Sequence, residues 1–224
     1  MQVKGRHVQG ILFDADGTLI DTYGTILASM RHAVGEALGL QLLDAELMGL
    51  VGTPLSDQML HFAGGDAERA DRAMEAYRLH NAGTIERTRA FPDTREALAC
   101  FKRAGVPMGV VTSKRHDPAV RGLTASGLSG FFAFVIGCDD WPEHKPDPGP
   151  ILHGCDLLGI APGACAYVGD SPFDIQAGAA AGCLTVAALW GMFPPEALAA
   201  ERPDLTCSTL AAAADAFGVL GLAE

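Results

Sequence analysis

The stretch from Val8 to Leu19 reads VQGILFDADGTL, an apolar run that ends in two aspartates and a glycine. A continuous apolar run of this kind is typical of a strand buried on both faces, as in a parallel sheet. Asp14 and Asp16 stand two residues apart where the run ends, and Gly17 permits a sharp turn there. The pattern therefore predicts an α/β sheet whose first strand ends in two carboxylates.

Four further apolar runs have the same character, and helical patterns lie between most of them. The runs span residues 108–112, 134–137, 164–169 and 184–189. The helical patterns cover residues 95–104, 118–126, 148–158 and 173–181. This alternation predicts a Rossmann-like parallel sheet of about five strands with right-handed crossovers. Ligands of such open sheets bind beyond the carboxyl ends of the strands, so the residues just after each run are the candidates for function.

The connection between the first two strands is far longer than the usual few residues. Its pattern is helical from Thr22 to about Thr88, and residues 26, 27, 30, 33, 34, 37 and 38 form one amphipathic face. Gly64 and Gly65 are expected to end a helix, and Asp66 to cap the next one. We expect residues 21–89 to form an α-helical cap domain, inserted as a mobile lid into a catalytic core of residues 1–20 and 90–224.

Polar side chains follow three of the other strands. Thr112 and Ser113 end the second run, and Lys145 lies in the proline-stiffened HKPDP loop. Asp170 follows the fourth run, and Asp174 stands four residues later, one turn into the predicted helix. Each has an ordinary structural explanation when it is taken singly, such as a turn or a helix cap. Together they place four carboxylates at one edge of the sheet, and such a cluster is expected to need cations. Because Mg²⁺ favours all-oxygen sites that retain water, the sequence predicts Mg²⁺ there.

Composition and charge exclude several classes of partner. The 224 residues include 16 Lys and Arg against 27 Asp and Glu, a formal net charge of −11. Such an acidic surface repels phosphodiester backbones and anionic lipid, so neither nucleic acid nor a membrane is expected as a partner. No apolar run reaches the ~18 residues that cross a bilayer, and the N-terminal stretch does not resemble a signal peptide. We expect a cytoplasmic protein.

The six cysteines show no C-x-x-C spacing and no Cys/His cluster typical of a zinc site. We expect them to be scattered buried thiols in a reducing compartment. They are Cys100, Cys138, Cys155, Cys165, Cys183 and Cys207.

The motifs, taken in order, resemble those of the haloacid dehalogenase-like hydrolases, in the phosphatase branch. DxDGTL stands at residues 14–19, TS at 112–113, KP at 145–146 and GDSxxD at 169–174. The stretches VVTSK, HKPDPGPIL and VGDSPFDIQAGAAAG are similar to those of phosphoglycolate phosphatases and their pyrophosphatase relatives. The resemblance covers nearly the whole chain, and the set of motifs is far more specific than any one of them.

The resemblance implies a Mg²⁺-dependent phosphatase that hydrolyses a small phosphorylated metabolite, such as a phosphoglycolate-like monoester. Asp14 would be the nucleophile that forms an aspartyl-phosphate, and Asp16 would act as general acid and then as general base. The metal would be held by Asp14, the main-chain carbonyl of Asp16, and Asp170.

The other motif residues would bind the phosphoryl group. Thr112, the Ser113 amide and Lys145 would contact the transferring phosphoryl oxygens. Asp174 would orient Lys145 or a metal-bound water from further out. In the cap, Thr53 and Arg31 are candidates for contact with the substrate.

Several alternatives stay open at this point. An inorganic pyrophosphatase or a sugar-phosphate mutase would use the same fold and the same aspartyl-phosphate chemistry. A phospho-receiver signalling module also gathers aspartates, a threonine and a lysine on a parallel sheet, but it lacks a large insertion. A dehalogenase is not expected, since that class has Tyr where this chain has Asp16. A Schiff-base route through a cap lysine is excluded because residues 22–90 contain no Lys. The oligomeric state cannot be read from the sequence.

Overall fold

The computed structural model describes residues 1–220, which form a parallel sheet flanked by helices. In chain order the strands are β1 (Gln2–Val3), β2 (Arg6–His7), β3 (Gly10–Phe13), β4 (Ile20–Asp21), β5 (Arg89–Ala90), β6 (Met108–Val111), β7 (Val135–Ile136), β8 (Cys165–Gly169), β9 (Leu184–Ala188) and β10 (Leu205–Cys207). Six of them form the central sheet in the order β10-β9-β8-β3-β6-β7. Every neighbouring pair in this sheet is parallel, so the predicted α/β fold class is confirmed.

The central strands are buried along their whole length, as their continuous apolar runs predict. Every residue of β3, β6, β8 and β9 is buried. Because side chains alternate along a strand, Ile11 and Phe13 of β3 pack into one apolar cluster and Leu12 into another. The sheet thus has a hydrophobic core on both faces.

The sheet has six strands where the sequence predicts about five. The additional strand is β10, which lies at one edge and pairs only with β9. Of its three residues only Cys207 is buried, so the sequence shows no continuous apolar run there. A short, partly exposed edge strand lacks the continuous apolar run from which the other strands were predicted.

Helices connect the strands of the sheet and fill the long insertion. They are α1 (Tyr23–Leu38), α2 (Asp44–Met48), α3 (Leu55–Phe62), α4 (Ala67–Ala82), α5 (Thr94–Arg103), α6 (His116–Ala125), α7 (Gly149–Leu158), α8 (Pro172–Ala181), α9 (Pro195–Ala200) and α10 (Leu210–Ala216). The four helical patterns predicted between the strands are confirmed as α5 to α8, with ends that differ by at most two residues. Within residues 1–220, no helix has the length and apolar character needed to cross a membrane.

Helices α1 to α4 lie between β4 and β5, which pair with each other as an antiparallel ribbon. The amphipathic face predicted for α1 is buried together with residues of α3 and α4, including Met30, Met59 and Ala73. Asp66 caps α4 as predicted, since its side chain accepts a hydrogen bond from the Arg69 main-chain NH. The insertion therefore has an apolar cluster of its own. The chain enters the insertion after β4 and returns through β5, the two strands of one ribbon. The assignment of residues 21–89 to a separate cap domain stays a prediction.

The expectation of scattered cysteines is wrong for three of the six. Cys155, Cys165 and Cys183 are buried and lie together, with the Sγ atoms of Cys155 and Cys183 3.8 Å apart. Cys165 begins β8, whereas the aspartates of GDSxxD follow the other end of that strand. The three thiols therefore lie at the opposite edge of the sheet from the strand-end carboxylates. Cys155 lies in α7, Cys165 in β8 and Cys183 just before β9, so sequence spacing does not reveal the cluster.

Candidate active site

The carboxyl ends of three adjacent strands carry most of the candidate residues. β6, β3 and β8 are neighbours in the sheet, and Thr112, Asp14 and Asp170 follow them directly. Because the strands are parallel, these ends meet at one edge, where open α/β sheets bind their ligands. Lys145 comes from the connection between β7 and α7. The structure thus brings together residues that are far apart in the chain.

Lys145 lies between two aspartates in the interior of the site. It is 3% exposed, and its Nζ lies 2.8 Å from Asp14 Oδ1 and 2.6 Å from Asp174 Oδ1. Burial alone would lower the pKa of Lys145, but the two carboxylates outweigh burial and raise this pKa well above its usual value. Lys145 is therefore a charged donor beside the candidate nucleophile.

Asp174 is held in position by the start of α8. Its Oδ2 accepts hydrogen bonds from the Ser171 main-chain NH at 3.0 Å and from the Ser171 hydroxyl at 2.6 Å. Ser171 in turn caps α8, so the two residues form a reciprocal capping box. The Tyr167 hydroxyl lies 3.1 Å from Asp174 Oδ1 and 2.9 Å from the carbonyl oxygen of Val111. With both oxygens engaged, Asp174 presents a fixed carboxylate to Lys145.

Asp170 is enclosed by two glycines and anchored by two hydrogen bonds. The Thr18 hydroxyl donates to its Oδ1 at 2.8 Å, and the Met192 main-chain NH donates to its Oδ2 at 2.7 Å. A Cβ on Gly17 would lie 2.2 Å from Asp170 Oδ2, and a Cβ on Gly191 would lie 2.2 Å from Asp170 Cβ. Both positions therefore require glycine, and Gly17 also adopts a φ of +84°.

Three buried carboxylates form a candidate metal centre. Oxygens of Asp14, Asp170 and Asp174 lie within 4.8 Å of one another. Burial raises the pKa of Asp14 to about 7. The positive charge of Lys145 acts against this shift, and the negative charge of Asp174 adds to it. Burial and the charges of Asp14 and Asp174 raise the pKa of Asp170 well above its usual range. Burial thus disfavours the ionised forms of Asp14 and Asp170 in the protein alone, and an all-oxygen donor set of this kind fits Mg²⁺.

Asp16 forms an ion pair that the sequence analysis missed. The Nζ of Lys114 lies 3.0 Å from Asp16 Oδ1 and 2.9 Å from Oδ2. Both side chains are largely buried, with 16% of Lys114 and 12% of Asp16 exposed. The signal was available, since Lys114 directly follows the Thr112-Ser113 pair at a strand end. The sequence analysis assigned roles only to Thr112 and Ser113 of this motif, so Lys114 received none.

The motifs and their geometry agree with a known family of proteins. Residues 11–188 match the sequence profile of the haloacid dehalogenase-like hydrolases. The chain belongs to this family. A phosphoglycolate phosphatase of Neisseria meningitidis is 35% identical, over 94% of each chain. The pyrophosphatase PpaX of Bacillus velezensis is 34% identical, over 89% of this chain and 91% of its own.

Solved structures show the same architecture. A structure described as that of a predicted phosphoglycolate phosphatase from Haemophilus somnus matches this hydrolase with a TM-score of 0.83. The two proteins are 26% identical, and the match covers 95% of this chain and 97% of the other. The relatives thus support the family assignment that the order of motifs suggested, whereas their names differ in substrate.

The hydroxyl residues after β6 lie where the inserted helices contact the sheet. Thr112 is buried, and its Oγ1 accepts a hydrogen bond from the Lys114 main-chain NH at 3.3 Å. The Ser113 hydroxyl donates to the carbonyl oxygen of Gly52, in the connection between α2 and α3. A Cβ on Gly52 would lie 2.8 Å from Ser171 Oγ. The insertion of this hydrolase therefore contacts the edge of the sheet directly at the site.

A cavity of about 530 Å³ lies between the inserted helices and the edge of the sheet. Asp14, Asp16 and Thr112 line it on the side of the sheet, and Thr53 lines it on the side of the insertion. The Thr53 hydroxyl donates a hydrogen bond to the Leu50 carbonyl oxygen at 2.8 Å. The cavity opens onto the candidate nucleophile and is large enough for a small organic ligand.

Arg31, predicted as a possible substrate contact, does not line the cavity, so that prediction is corrected. Its side chain is 57% exposed and forms an ion pair with Asp44 at the start of α2. The adjacent Met30 lines the cavity instead. Since neighbouring residues of a helix point in different directions, the sequence position of Arg31 near the expected cleft was not enough to place its side chain there.

Proposed function

We propose that this hydrolase is a Mg²⁺-dependent phosphatase that hydrolyses a small phosphate monoester through an aspartyl-phosphate on Asp14. The observation that carries the proposal is the Asp14 carboxylate held by Lys145, with oxygens of Asp170 and Asp174 within 4.8 Å. A nucleophile, a fixed cation and further metal-binding carboxylates are what phosphoryl transfer through an aspartate needs. The relative named phosphoglycolate phosphatase supports the monoester as substrate.

The residues at the sheet edge fit a divalent cation. Asp14 and Asp170 are buried carboxylates whose raised pKa values reflect burial without sufficient compensating charge. We infer that these two side chains and the main-chain carbonyl of Asp16 would hold Mg²⁺. When bound, the ion would offset the repulsion between the carboxylates and an anionic phosphate.

The proposed reaction has two steps that use the same pair of aspartates. In the first step a carboxylate oxygen of Asp14 attacks phosphorus, the bond to the ester oxygen breaks, and Asp16 donates a proton to the leaving alkoxide. In the second step Asp16 accepts a proton from water as that water attacks phosphorus. The bond between Asp14 and phosphorus then breaks, and inorganic phosphate leaves.

The remaining motif residues would stabilise the phosphoryl group during both steps. Thr112, the Ser113 amide and Lys145 would donate hydrogen bonds to its oxygens as charge develops there. Asp174 would keep Lys145 in place, in agreement with the 2.6 Å distance between them. We also infer that residues 21–89 form a cap that shields the site from bulk water.

A pyrophosphatase is the second candidate, because the relative from Bacillus velezensis carries that name. Its reaction would use the same aspartate with phosphate as the leaving group. A mutase would return the phosphoryl group to a second hydroxyl, and a receiver module would keep it on Asp14 for minutes without turnover. These alternatives differ in their products, so one assay separates them.

The test measures phosphate release from a panel of monoesters and from pyrophosphate, with Mg²⁺ and with a chelator. We expect release from monoesters with Mg²⁺, complete loss in Asp14→Asn, and about 100-fold or greater loss in Asp16→Asn, since general acid–base catalysis contributes about that much. Both variants should keep the far-ultraviolet circular dichroism of the wild type. Full activity in Asp14→Asn, or an isomerised product without phosphate release, would overturn the proposal.

A further inference from the structure

Three buried cysteines meet at the opposite edge of the sheet from the candidate active site. Their Sγ atoms all lie within 4.8 Å of one another, and those of Cys155 and Cys183 are 3.8 Å apart. Cys155 lies in α7, Cys165 begins β8, and Cys183 directly precedes β9. The three thiols therefore form one group of sulfur donors, and no step of the proposed reaction uses it.

The spacing of the sulfur atoms suits a single metal ion at their centre. A zinc–thiolate bond is about 2.3 Å long, so an ion in the plane of three sulfurs at this distance places them about 4.0 Å apart. The 3.8 Å between Cys155 and Cys183 is close to this value, and the other two distances reach it within their limit of 4.8 Å. The ion would take the place of the thiol protons, so it needs no separate cavity.

The donor set decides which ion fits. Within residues 1–220, the group contains three cysteines and no histidine, aspartate or glutamate. Structural zinc sites are almost always tetrahedral with four protein ligands, so the group lacks one ligand for zinc. Cu(I) is a soft ion that prefers thiolates and is satisfied by three of them. Mg²⁺ prefers oxygen ligands and would not compete for the sulfurs.

The surroundings of the thiols are apolar, with one positive charge beside them. The three cysteines pack in an apolar cluster that also contains Ile151 and Tyr167. The guanidinium of Arg6 donates to the main-chain carbonyl oxygens of Cys183 at 3.2 Å and of Gly163 at 3.3 Å. A Cu(I) ion with three thiolates carries a net negative charge, and Arg6 offsets part of it because charges interact strongly near the protein interior.

The group lies just below the surface of the protein. Asp156 follows Cys155 and is exposed, and Gly182 precedes Cys183 and is also exposed. Gly182 ends α8 in a left-handed conformation with a φ of +81°. Because the ends of elements open at a lower free energy than global unfolding requires, an ion can reach the thiols from this side.

We propose that Cys155, Cys165 and Cys183 form a binding site for one Cu(I) ion, held by three thiolates. Binding releases the thiol protons to solvent and changes no oxidation state. The site lies at the other edge of the sheet from the phosphatase centre, so this inference goes beyond the proposed function and does not depend on it.

The test measures Cu(I) binding to the reduced, full-length protein under anaerobic conditions. One sample is titrated with Cu(I) buffered by bicinchoninate, and a second is refolded from denaturant in the same buffer, so that burial does not hinder entry. We expect one equivalent of Cu(I) per chain, an ultraviolet thiolate-to-copper absorption band, and a higher Tm because the ion binds the folded state. If neither sample binds an equivalent of Cu(I), the proposal is overturned.

Three variants assign the ion to its ligands. Cys155→Ala, Cys165→Ala and Cys183→Ala each remove one sulfur and introduce no new polar group into the core. Each should weaken Cu(I) binding about 100-fold or more, since the loss of a residue that only orients a metal ligand already costs about 10- to 100-fold. The stoichiometry and the absorption band of the wild type do not depend on any variant folding.

The other three cysteines provide the controls. Cys100 and Cys207 are buried in a different apolar cluster, so Cys100→Ala and Cys207→Ala remove a buried thiol away from the site and should bind Cu(I) as the wild type does. Cys138 is half-buried and is the thiol most open to an adventitious ion. Binding that persists unchanged in Cys155→Ala, or that is lost in Cys138→Ala, would show an adventitious ion only and overturn the proposal.

Discussion

Two lysines hold the two aspartates that follow β3. Lys145 Nζ lies 2.8 Å from Asp14 Oδ1, and Lys114 Nζ lies within 3.0 Å of both oxygens of Asp16. With both of its oxygens within hydrogen-bond distance of one ammonium group, the Asp16 carboxylate is fixed in position. We infer that Lys114 is a positioning residue for Asp16, the general acid and base of the proposed reaction.

Replacement of Lys114 tests this role. We expect Lys114→Met to lower kcat about tenfold to 100-fold with little change in KM, because a misplaced catalytic group costs that much. Lys114→Arg keeps the charge and should retain more activity than Lys114→Met. Steady-state kinetics and a thermal melt of both variants provide the measurement. Wild-type kcat in Lys114→Met would show that Asp16 needs no partner.

The connection between α2 and α3 joins the insertion to the sheet edge. The Ser113 hydroxyl donates to the Gly52 carbonyl oxygen. Gly52 has a φ of +109°, which favours glycine, and a Cβ there would lie 2.8 Å from Ser171 Oγ and 2.9 Å from Phe173 Cδ2. A side chain at this position would push the two parts of the molecule away from each other.

We expect Gly52→Ala to lower kcat/KM about tenfold or more, since displacement by about 1 Å in a catalytic site has a cost of that size or larger. The reason is the loss of close contact between the connection and Ser113. Gly24→Ala in α1 is the matched control, because a Cβ there meets no atom within 4 Å. Phosphate release by the two variants is compared at equal concentration. Equal kcat/KM for both would contradict the importance of this contact.

The net charge of −11 conceals an uneven distribution of acids over the molecule. Asp14, Asp170 and Asp174 are buried together with Lys145 as their nearby cation. Burial raises the pKa of both Asp14 and Asp170, so this arrangement weakens the folded protein when no metal is bound. Function and stability are therefore opposed at this edge of the sheet.

Asp170→Asn should make the metal-free protein more stable while abolishing phosphate release. The amide oxygen can accept from the Met192 NH, and the amide nitrogen can donate to Thr18 Oγ1, so both anchoring contacts survive the loss of charge. We expect the metal-free Tm to rise by about 2–4 °C, as for roughly 1 kcal/mol in a chain of this size. Mg²⁺ should raise the Tm of the wild type but not that of the variant.

The control for this comparison is Asp71→Asn, an exposed position on α4, which removes the same charge from the surface. Its Tm should equal that of the wild type with and without Mg²⁺. A metal-free Asp170→Asn that melts below the wild type would contradict the proposed repulsion among the buried carboxylates.

Much of the fold could be predicted because its signals are local. The central strands are continuous apolar runs, and α1 and α4 show their buried faces or caps within a few residues. The β1–β2 and β4–β5 ribbons and the edge strand β10 were missed, because these short strands are partly exposed and show no continuous apolar run. Strand pairing, rather than local pattern, defines these elements.

The sequence alone was sufficient to place Asp14, Thr112 and Asp170 at the carboxyl-terminal edge of the sheet, because the carboxyl ends of parallel strands all lie on the same side. Only the tertiary structure paired Lys114 with Asp16, 98 positions apart, and Ser113 with Gly52, 61 positions apart. It also placed Arg31 away from the cavity and assembled the three thiols at the opposite edge. These contacts depend on how separately formed elements pack against each other, and no local pattern of residues encodes that packing.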